Sequence, residues 1–483
     1  MKLTLRLDPN RLRRWHVRLA ERLSRRADTR VSVEWNAAGE PLPSAVASLF
    51  ALERLIYRLP AGDEAAASVQ DFARYLAADD ADLVLDFTHG TTPDTLTWRV
   101  MFDGVADEAA ALAALTQSRV PVVSITDASG AVIARGHPGT ESGGILTLAY
   151  RDLLARTATL VIAALDGANP TLATEPRPDR LGAANIARFA AKSLARAAAR
   201  KLYGLCYNAP HWRVGWRYVE GPDVIDLRAH PQSGWQDLPD DRSRFYADPF
   251  PFEHDGRMFV FVEDFVHALG YGVISAVEFG AGGPLGTPRP VLDIGTHLSY
   301  PFVFARDGAV FMVPETVATN TVDLYRAVSF PDRWEKEATL LSGIEASDAT
   351  LFKHAGRWWM FATVRDDGGA FSDALHIWSA PDFRGPWQPH RRNPVLVDIA
   401  SARPAGRVVH RNGALIRPFQ DCRDGYGAAL GLARITRLDD ESFEQQVETI
   451  LRSGPLWPGR RLHTLNRAGR LECIDGSATA RRF

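Results

Sequence analysis

Over the first 165 residues the apolar positions follow two rhythms. LTLRL, VSVEW and DLVLDF read as strands, because their apolar residues alternate or fill short runs. RLRRWHVRLAERLSRRA, the segment around VASLFALERLIYRL, and AASVQDFARYLAA carry apolar residues three and four apart and read as helices. Strand, helix, strand and then a further buried strand predict a parallel α/β sheet of Rossmann type over 1–165. From about residue 212 the pattern changes to short apolar or alternating runs split by Gly, Pro and Asp, which predicts an all-β region over 212–483. The interval 166–211 is unlike either. GANPTLATEPRPD reads as a linker, and RLGAANIARFAAKSLARAAARKLYGL is a strong helix former.

The all-β region repeats. YADPFPFEHDGRMFVFVE (246–263), YPFVFARDGAVFMVPE (300–315) and DATLFKHAGRWWMFAT (348–363) share one plan of apolar strand, glycine turn and returning strand. Counting back eight residues from Gly256, Gly308, Gly356 and Gly413 gives Asp248, Tyr300, Asp348 and Ala405. Counting forward seven gives Glu263, Glu315, Thr363 and Gln420. A weaker fifth copy, HTLNRAGRLECIDG, surrounds Gly469, and WRVGWRYV at 212–219 offers a strand to close a ring. Repeats about fifty residues long predict a C-terminal five-bladed β-propeller. Each hairpin places its first and last positions at the same end, so one funnel is expected to gather Asp248, Glu263, Tyr300, Glu315, Asp348, Arg407 and Gln420. Crowded carboxylates raise one another's pKa values, which acid/base work on a glycosidic bond requires. The same residue types also form turns and cap strands. Capping alone does not explain why Glu or Gln returns at one offset in three blades.

Composition narrows the classes. The 483 residues are 46% apolar and 24% charged with a formal net charge of −2, which gives no reason to expect a nucleic-acid partner. Cys206, Cys422 and Cys473 are far apart and lack metal-ligand or disulfide spacing, so neither a zinc site nor a disulfide framework is expected. MKLTLRLDPNRLRRWH has no apolar leader core and TATLVIAAL at 157–165 is too short to span a bilayer, so a cytoplasmic location is expected. Between Asp179 and Glu220 there is no acidic residue, and Arg188, Lys192, Arg196 and Arg200 recur at helical spacing. That stripe suits either a solvated face or a peripheral contact of helix 182–204 with an anionic membrane. No GxGxxG follows the first strand, and GTESGG at 139–144 is a turn more readily than a phosphate loop. No cofactor is evident; a sugar nucleotide is the candidate donor substrate.

Residues 212–476 resemble the five-bladed propellers of glycoside hydrolase families 43 and 32. YADPF, HLSYPFVF, PET, SDATLF and RPFQD resemble more closely the propeller in the N-terminal region of glucosamine inositolphosphorylceramide transferase proteins, and of bacterial relatives that join it to a formyltransferase-like Rossmann domain. The resemblance implies Asp248 as base or nucleophile and Asp348 as the group that orients substrate and tunes the acid. The hydrolases' fourth-blade glutamate has no counterpart in ARPAGRVVHRNGAL, where Ala405 stands beside Arg407, His410 and Arg411. Glu315 is the favoured replacement acid and Glu263 the other. Glu263, His297, Tyr300, Arg365, Arg407, His410, Gln420 and Asp421 make up the expected substrate-binding set, its cations suited to a phosphate or carboxylate. For the N-terminal domain a formyltransferase resemblance implies an Asn, a His and an Asp; Asp86, His89 and His137 are candidates, with no convincing asparagine beside them.

The expected function is a carbohydrate-active enzyme that transfers or hydrolyses a glycosyl group in the propeller funnel, in glycan or glycolipid biosynthesis. Two alternatives stand beside it. One is a non-catalytic glycan-binding propeller in which Trp358, Trp359 and Tyr300 stack or fill the core. The other is formyl or acyl transfer by the N-terminal domain.

Overall fold

The computed structural model describes residues 1–482 except 38, 40, 76–79, 89–95, 169, 171, 173, 232–233, 455–456 and 458. It divides into one unit of Met1–Ala199 with Asp366–Ala370 and Leu396–Asp398, and a second of Arg200–Arg365, Phe371–Val395 and Ile399–Phe483.

In the first unit the strand Lys2–Leu7 is buried at every position after Lys2, as befits a parallel strand covered on both faces. It pairs in parallel with Arg30–Trp35 on one side and Leu83–Asp86 on the other. Leu83–Asp86 runs parallel to Thr97–Phe102, and the sheet ends in the antiparallel strands Val123–Thr126 and Val132–Gly136. The expected wholly parallel sheet is therefore corrected to a six-stranded mixed one. The direction reverses across the connection 103–122, which carries helix Glu108–Thr116, and again at a tight turn in which the Asp127 carboxylate accepts the N–H groups of Ser129 and Ala131. This topology does not establish a formyltransferase-like domain.

Helix Arg14–Ser24 buries Trp15, Leu19 and Leu23, and Leu146–Leu165 is buried along most of its length. The helix expected over AASVQDFARYLAA is a single 3-10 turn, Val69–Phe72, closed by reciprocal capping between Ser68 and Asp71. Helix Ala183–Cys206 buries Ile186, Phe189 and Ser193, while Arg188, Lys192, Arg196 and Arg200 are exposed. Among the described residues no helix is long and apolar enough to cross a membrane.

The second unit is a five-bladed β-propeller. Its first four blades start at the inner strands Arg244–His254, Ser299–Arg306, Ala346–His354 and Val409–Arg411. Each inner strand turns into its neighbour through two residues of positive φ: Asp255–Gly256, Asp307–Gly308, Ala355–Gly356 and Asn412–Gly413. These are the primed turns whose twist matches a hairpin, and they explain the periodic glycine. The fifth blade is shared between distant segments. Leu465–Ala468 and Leu471–Ser477 come from one end of the unit, and Trp212–Tyr218 and Gln236–Leu238 from the other. The closing role expected of WRVGWRYV is thus fulfilled. Between blades the core is aromatic: Phe250, Phe302, Phe304, Phe311 and Phe383 are all buried, and Trp358 packs among them at 9% exposure. Trp359 is buried too, its indole N–H donating to the His354 carbonyl, so the tryptophan pair is core and not a sugar platform.

Candidate active site

Three inner strands break at the same place. The ladder register slips between Ala247 and Phe250, Ser299 and Phe302, and Ser347 and Thr350. At the slip Asp248, Tyr300 and Asp348 adopt φ of 48°, 45° and 57°. Proline follows the first two, and a residue without an N–H cannot continue the ladder. A left-handed non-glycine residue costs about 1–2 kcal/mol and persists only where its surroundings hold it. The holding groups come from preceding blades. Asp475 Oδ2 accepts the Asp248 N–H at 2.7 Å, Asp248 Oδ2 accepts the Tyr300 N–H at 3.2 Å, and Glu315 Oε2 accepts the Asp348 N–H at 3.2 Å.

Around Asp248 the fifth blade supplies three partners. Thr464 Oγ1 donates to Asp248 Oδ1 at 2.6 Å, His463 Nε2 lies 3.6 Å from the same oxygen, and His463 Nδ1 is 2.6 Å from Asp475 Oδ1. Trp212 stacks on the His463 ring at 4.2 Å. Burial pushes the Asp248 carboxyl up to about 6, with His463 opposing and Asp475 and Asp348 assisting. Burial disfavours the His463 imidazolium, but Asp475 and Asp248 outweigh it and its pKa is raised. Glu263 is raised well above the ordinary glutamate value by burial and by repulsion from Asp248, Glu315 and Asp475.

Asp348 sits in a second cluster. Arg403 Nε donates to Asp348 Oδ2 at 2.6 Å and Arg403 Nη2 to Oδ1 at 3.3 Å, while Gln420 Nε2 donates to Oδ2 at 3.0 Å. Arg403 also lies 3.7 Å from Glu315 Oε2 and 4.8 Å from the Tyr426 ring centre. Burial pushes Asp348 up to about 7 despite the guanidinium beside it. The Tyr300 hydroxyl accepts the Gly406 N–H at 2.7 Å and bonds Thr350 Oγ1 at 2.8 Å. A Cβ at Gly406 would lie 2.1 Å from the Leu465 carbonyl, so only glycine allows the fourth blade this close.

Glycine counting finds Asp248, Glu263, Tyr300, Glu315, Asp348 and Gln420, all buried and all within or beside these clusters. Of the other expected residues, His297 borders Glu263, whereas Arg407, His410 and Arg365 make their contacts elsewhere. Arg407 is wedged between blades, 5.4 Å from the Phe250 ring centre and 4.8 Å from Phe302, and donates to the Val303 carbonyl. His410 pairs with Leu415 at the turn end of its hairpin, opposite to the Gln420 end, and is exposed. Neither forms the cationic patch expected beside the carboxylates, because each follows the one extra residue that the fourth inner strand holds relative to the first. Half-buried His297 accepts the Gly272 N–H at 2.9 Å and stands 3.7 Å from Glu263 Oε1. Arg365 stacks at 4.9 Å on Phe371 and lies 3.7 Å from Glu345, and buried Asp421 is held by Arg423 at 2.7 Å.

Arg403, His463, Thr464, Asp475 and Tyr426 were not foreseen. In the fourth blade the Gln420 N–H donates to the Arg403 carbonyl, which makes Arg403 the counterpart of Ala247. The count from Gly413 reached Ala405 instead, for the same reason of the extra residue. His463, Thr464 and Asp475 lie in the weak fifth repeat, where the turn glycine is shifted by one relative to the other blades.

Asp248, His463 and Asp475 each offer a ligand atom within 4.8 Å of the others and are the one such group among the described residues. In the first unit, Asp86 is buried and accepts from the Thr88 N–H and hydroxyl at 2.9 and 2.7 Å, with Arg6 and Arg99 at 3.6 and 3.5 Å. His137 Nε2 meets the Val120 carbonyl at 3.2 Å. His89 lies outside the described residues.

Residues 237–473 match the family described as glucosamine inositolphosphorylceramide transferase 1, N-terminal, a span that covers most of the propeller. The chain is 32% identical over 262 residues to glucosamine inositolphosphorylceramide transferase 1 of Arabidopsis thaliana, covering 51% of this chain and 33% of that protein. To the protein of the same name in Oryza sativa subsp. japonica it is 33% identical over 233 residues, covering 46% and 31%. The chain thus spans about a third of the length of these curated relatives. Solved structures with a similar fold include an exo-β-1,3-galactanase from Clostridium thermocellum, with a TM-score of 0.34 at 12% identity over 50% of this chain and 60% of that one. Another is the family 117 glycoside hydrolase Zg3597 from Zobellia galactanivorans, with a TM-score of 0.36 at 10% identity over 56% and 92%.

Proposed function

We propose that the propeller transfers a glycosyl group from a sugar donor to a glycolipid-type acceptor, with Asp248 as base or nucleophile and Glu263 as acid. The observation that carries this reading is the presence of unlike carboxyl groups at one end of the channel. Burial pushes Asp248 up to about 6 with His463 opposing, whereas Glu263 is raised well above its ordinary value by burial and by the carboxylates around it. Two carboxyls whose environments push them apart are what acid/base catalysis at a glycosidic centre needs.

Glu315 fits the acid role less well, because its Oε2 already accepts the Asp348 N–H and faces Arg403. Asp348, clamped by Arg403 and Gln420, is a positioning residue in this scheme. His463, whose pKa is raised by Asp475 and Asp248 against the effect of burial, opposes the rise in the Asp248 carboxyl. Similarity to relatives named as transferases supports transfer over hydrolysis, and a sugar nucleotide is the donor proposed for it.

The test is Asp248→Asn in the full chain, assayed by mass spectrometry for product from a set of sugar nucleotides and a phosphoinositol lipid in detergent micelles. Turnover is expected to fall by about 10²–10⁴-fold, while ligand-linked thermal stabilisation persists. Unchanged turnover sinks the assignment. Sugar binding without turnover in the native chain favours the glycan-binding alternative.

A further inference from the structure

Away from the carboxylate clusters, the propeller contains a second cavity of about 460 Å³, lined by the strand ends of the fifth blade and the segment that leads into the first. Six side chains define its chemistry: His211, Arg213, Asp237, Asp240, Arg242 and Arg460. Four of these side chains already have partners. Arg213 is paired with Asp237, and Asp240 receives the His211 Nε2 contact at 3.2 Å. His211 Nδ1 in turn faces His267 Nε2 at 3.3 Å, so the imidazole is fixed from both sides. Arg242 and Arg460 remain, two guanidinium groups with no carboxylate partner among the described residues, facing the same cavity.

Neighbouring residues lead from this cavity to Asp248. His211 precedes Trp212 in the chain, Trp212 stacks on His463 at 4.2 Å, and His463 lies 3.6 Å from Asp248. From the other wall, Arg242 stands two residues before the inner strand Arg244–His254 that carries Asp248.

We infer that this cavity is an anion subsite that binds the phosphate of a substrate of the propeller. The inference rests on the glycosyl-transfer reading for its role, not for its chemistry. Planar guanidinium groups bind phosphate oxygens in pairs. The volume lies within the range of ligand pockets, about 300–1,000 Å³, which leaves room for a phosphate and the group it is attached to. The phosphate belongs either to the diphosphate of a nucleotide donor or to the phosphodiester of a lipid headgroup.

Calorimetric titration of the full chain with uridine diphosphate and, separately, with glycerophosphoinositol distinguishes the two sources. In Arg242→Ala/Arg460→Ala the Kd for the true class of ligand is expected to rise about tenfold or more, with Tm unchanged because both residues are exposed. Loss for the nucleotide alone assigns the subsite to the donor, and loss for the headgroup alone to the acceptor. If neither compound binds the native chain at millimolar concentration, or if both bind the double variant as before, the subsite is refuted. Asp248→Asn separates the two claims: it retains phosphate binding if the subsite exists, whether or not turnover depends on Asp248.

Discussion

Replacing Arg403 by methionine tests the electrostatic design of the site directly. The side chain is of similar length and apolar, so the cavity is small and the main effect is loss of charge. Arg403 and Asp348 are 6% and 2% exposed and form a two-point contact of 2.6 and 3.3 Å. Removing one member of such a buried pair costs about 3–5 kcal/mol, because the other charge is left uncompensated. At roughly 2–4 °C per kcal/mol for a domain of 150–250 residues, the Tm of the propeller transition falls by about 6–20 °C at pH 8.

The pH dependence has a definite sign. Asp348 is raised from an ordinary 3.8 to about 7 in the folded chain, so the folded state binds its proton more tightly than the unfolded state. Its contribution to stability is fully present below about 4 and is lost as pH rises through 7. Without Arg403 the carboxyl moves higher still, and the penalty shrinks at pH 5, where Asp348 is protonated. Adding Asp348→Asn should recover much of the loss, since an uncharged pair can replace a buried ion pair at little cost. Differential scanning calorimetry of the single and double variants at pH 5 and pH 8 measures this. A Tm within 2 °C of the native chain at pH 8, or no recovery in the double variant, would refute the argument.

If Asp248 acts ionised and Glu263 protonated, kcat/KM should rise with pH through about 6 and fall on the alkaline side as Glu263 loses its proton; a flat profile between pH 5 and 9 removes that pairing. Tyr300→Phe leaves the buried Gly406 N–H without its acceptor and should destabilise by about 1–3 kcal/mol, read as a lower urea midpoint with an unchanged slope. Charge reversal at Lys192 and Arg196, both exposed, should weaken co-sedimentation with phosphatidylserine vesicles at low salt, since each basic residue near such a surface contributes about 1 kcal/mol. Equal binding by the native and reversed chains removes the membrane contact.

The propeller was legible because its hairpins obey strict geometry. A primed turn needs a left-handed residue, which put glycine or its partner at fixed intervals, and proline after the bulge marked two of the three strained positions. Where geometry was regular, counting residues was as good as seeing them, and Asp248, Tyr300 and Asp348 fell into place. It failed where a blade added or shifted one residue. Arg403 was missed for that reason, and Arg407 and His410 were drawn toward a funnel that neither joins. His463 and Asp475 share a blade whose turn glycine is displaced, so the repeat looked too weak to carry chemistry. In the first unit, alternation identified the strands, but strand direction depends on the connections: a strand, helix, strand order reads as a parallel crossover, whereas across Glu108–Thr116 the next strand returns antiparallel.

The shared fifth blade makes timing part of the design. Thr464 and Asp475 are separated from Asp248 by 216 and 227 residues, so in a chain growing on the ribosome nothing from the fifth blade holds Asp248 in its left-handed conformation until those residues emerge. At about 5–20 residues per second, that interval lasts roughly ten to forty-five seconds. A truncated product would carry four blades, yet Asp248 would lack both His463 and the Thr464 hydroxyl beside it. The Asp248 environment is therefore complete only when the two ends of the unit have met. A fragment trimmed to the matched span 237–473 would lose Trp212–Tyr218 and with it the strand that seals the seam, and it is expected to be inert for that reason alone.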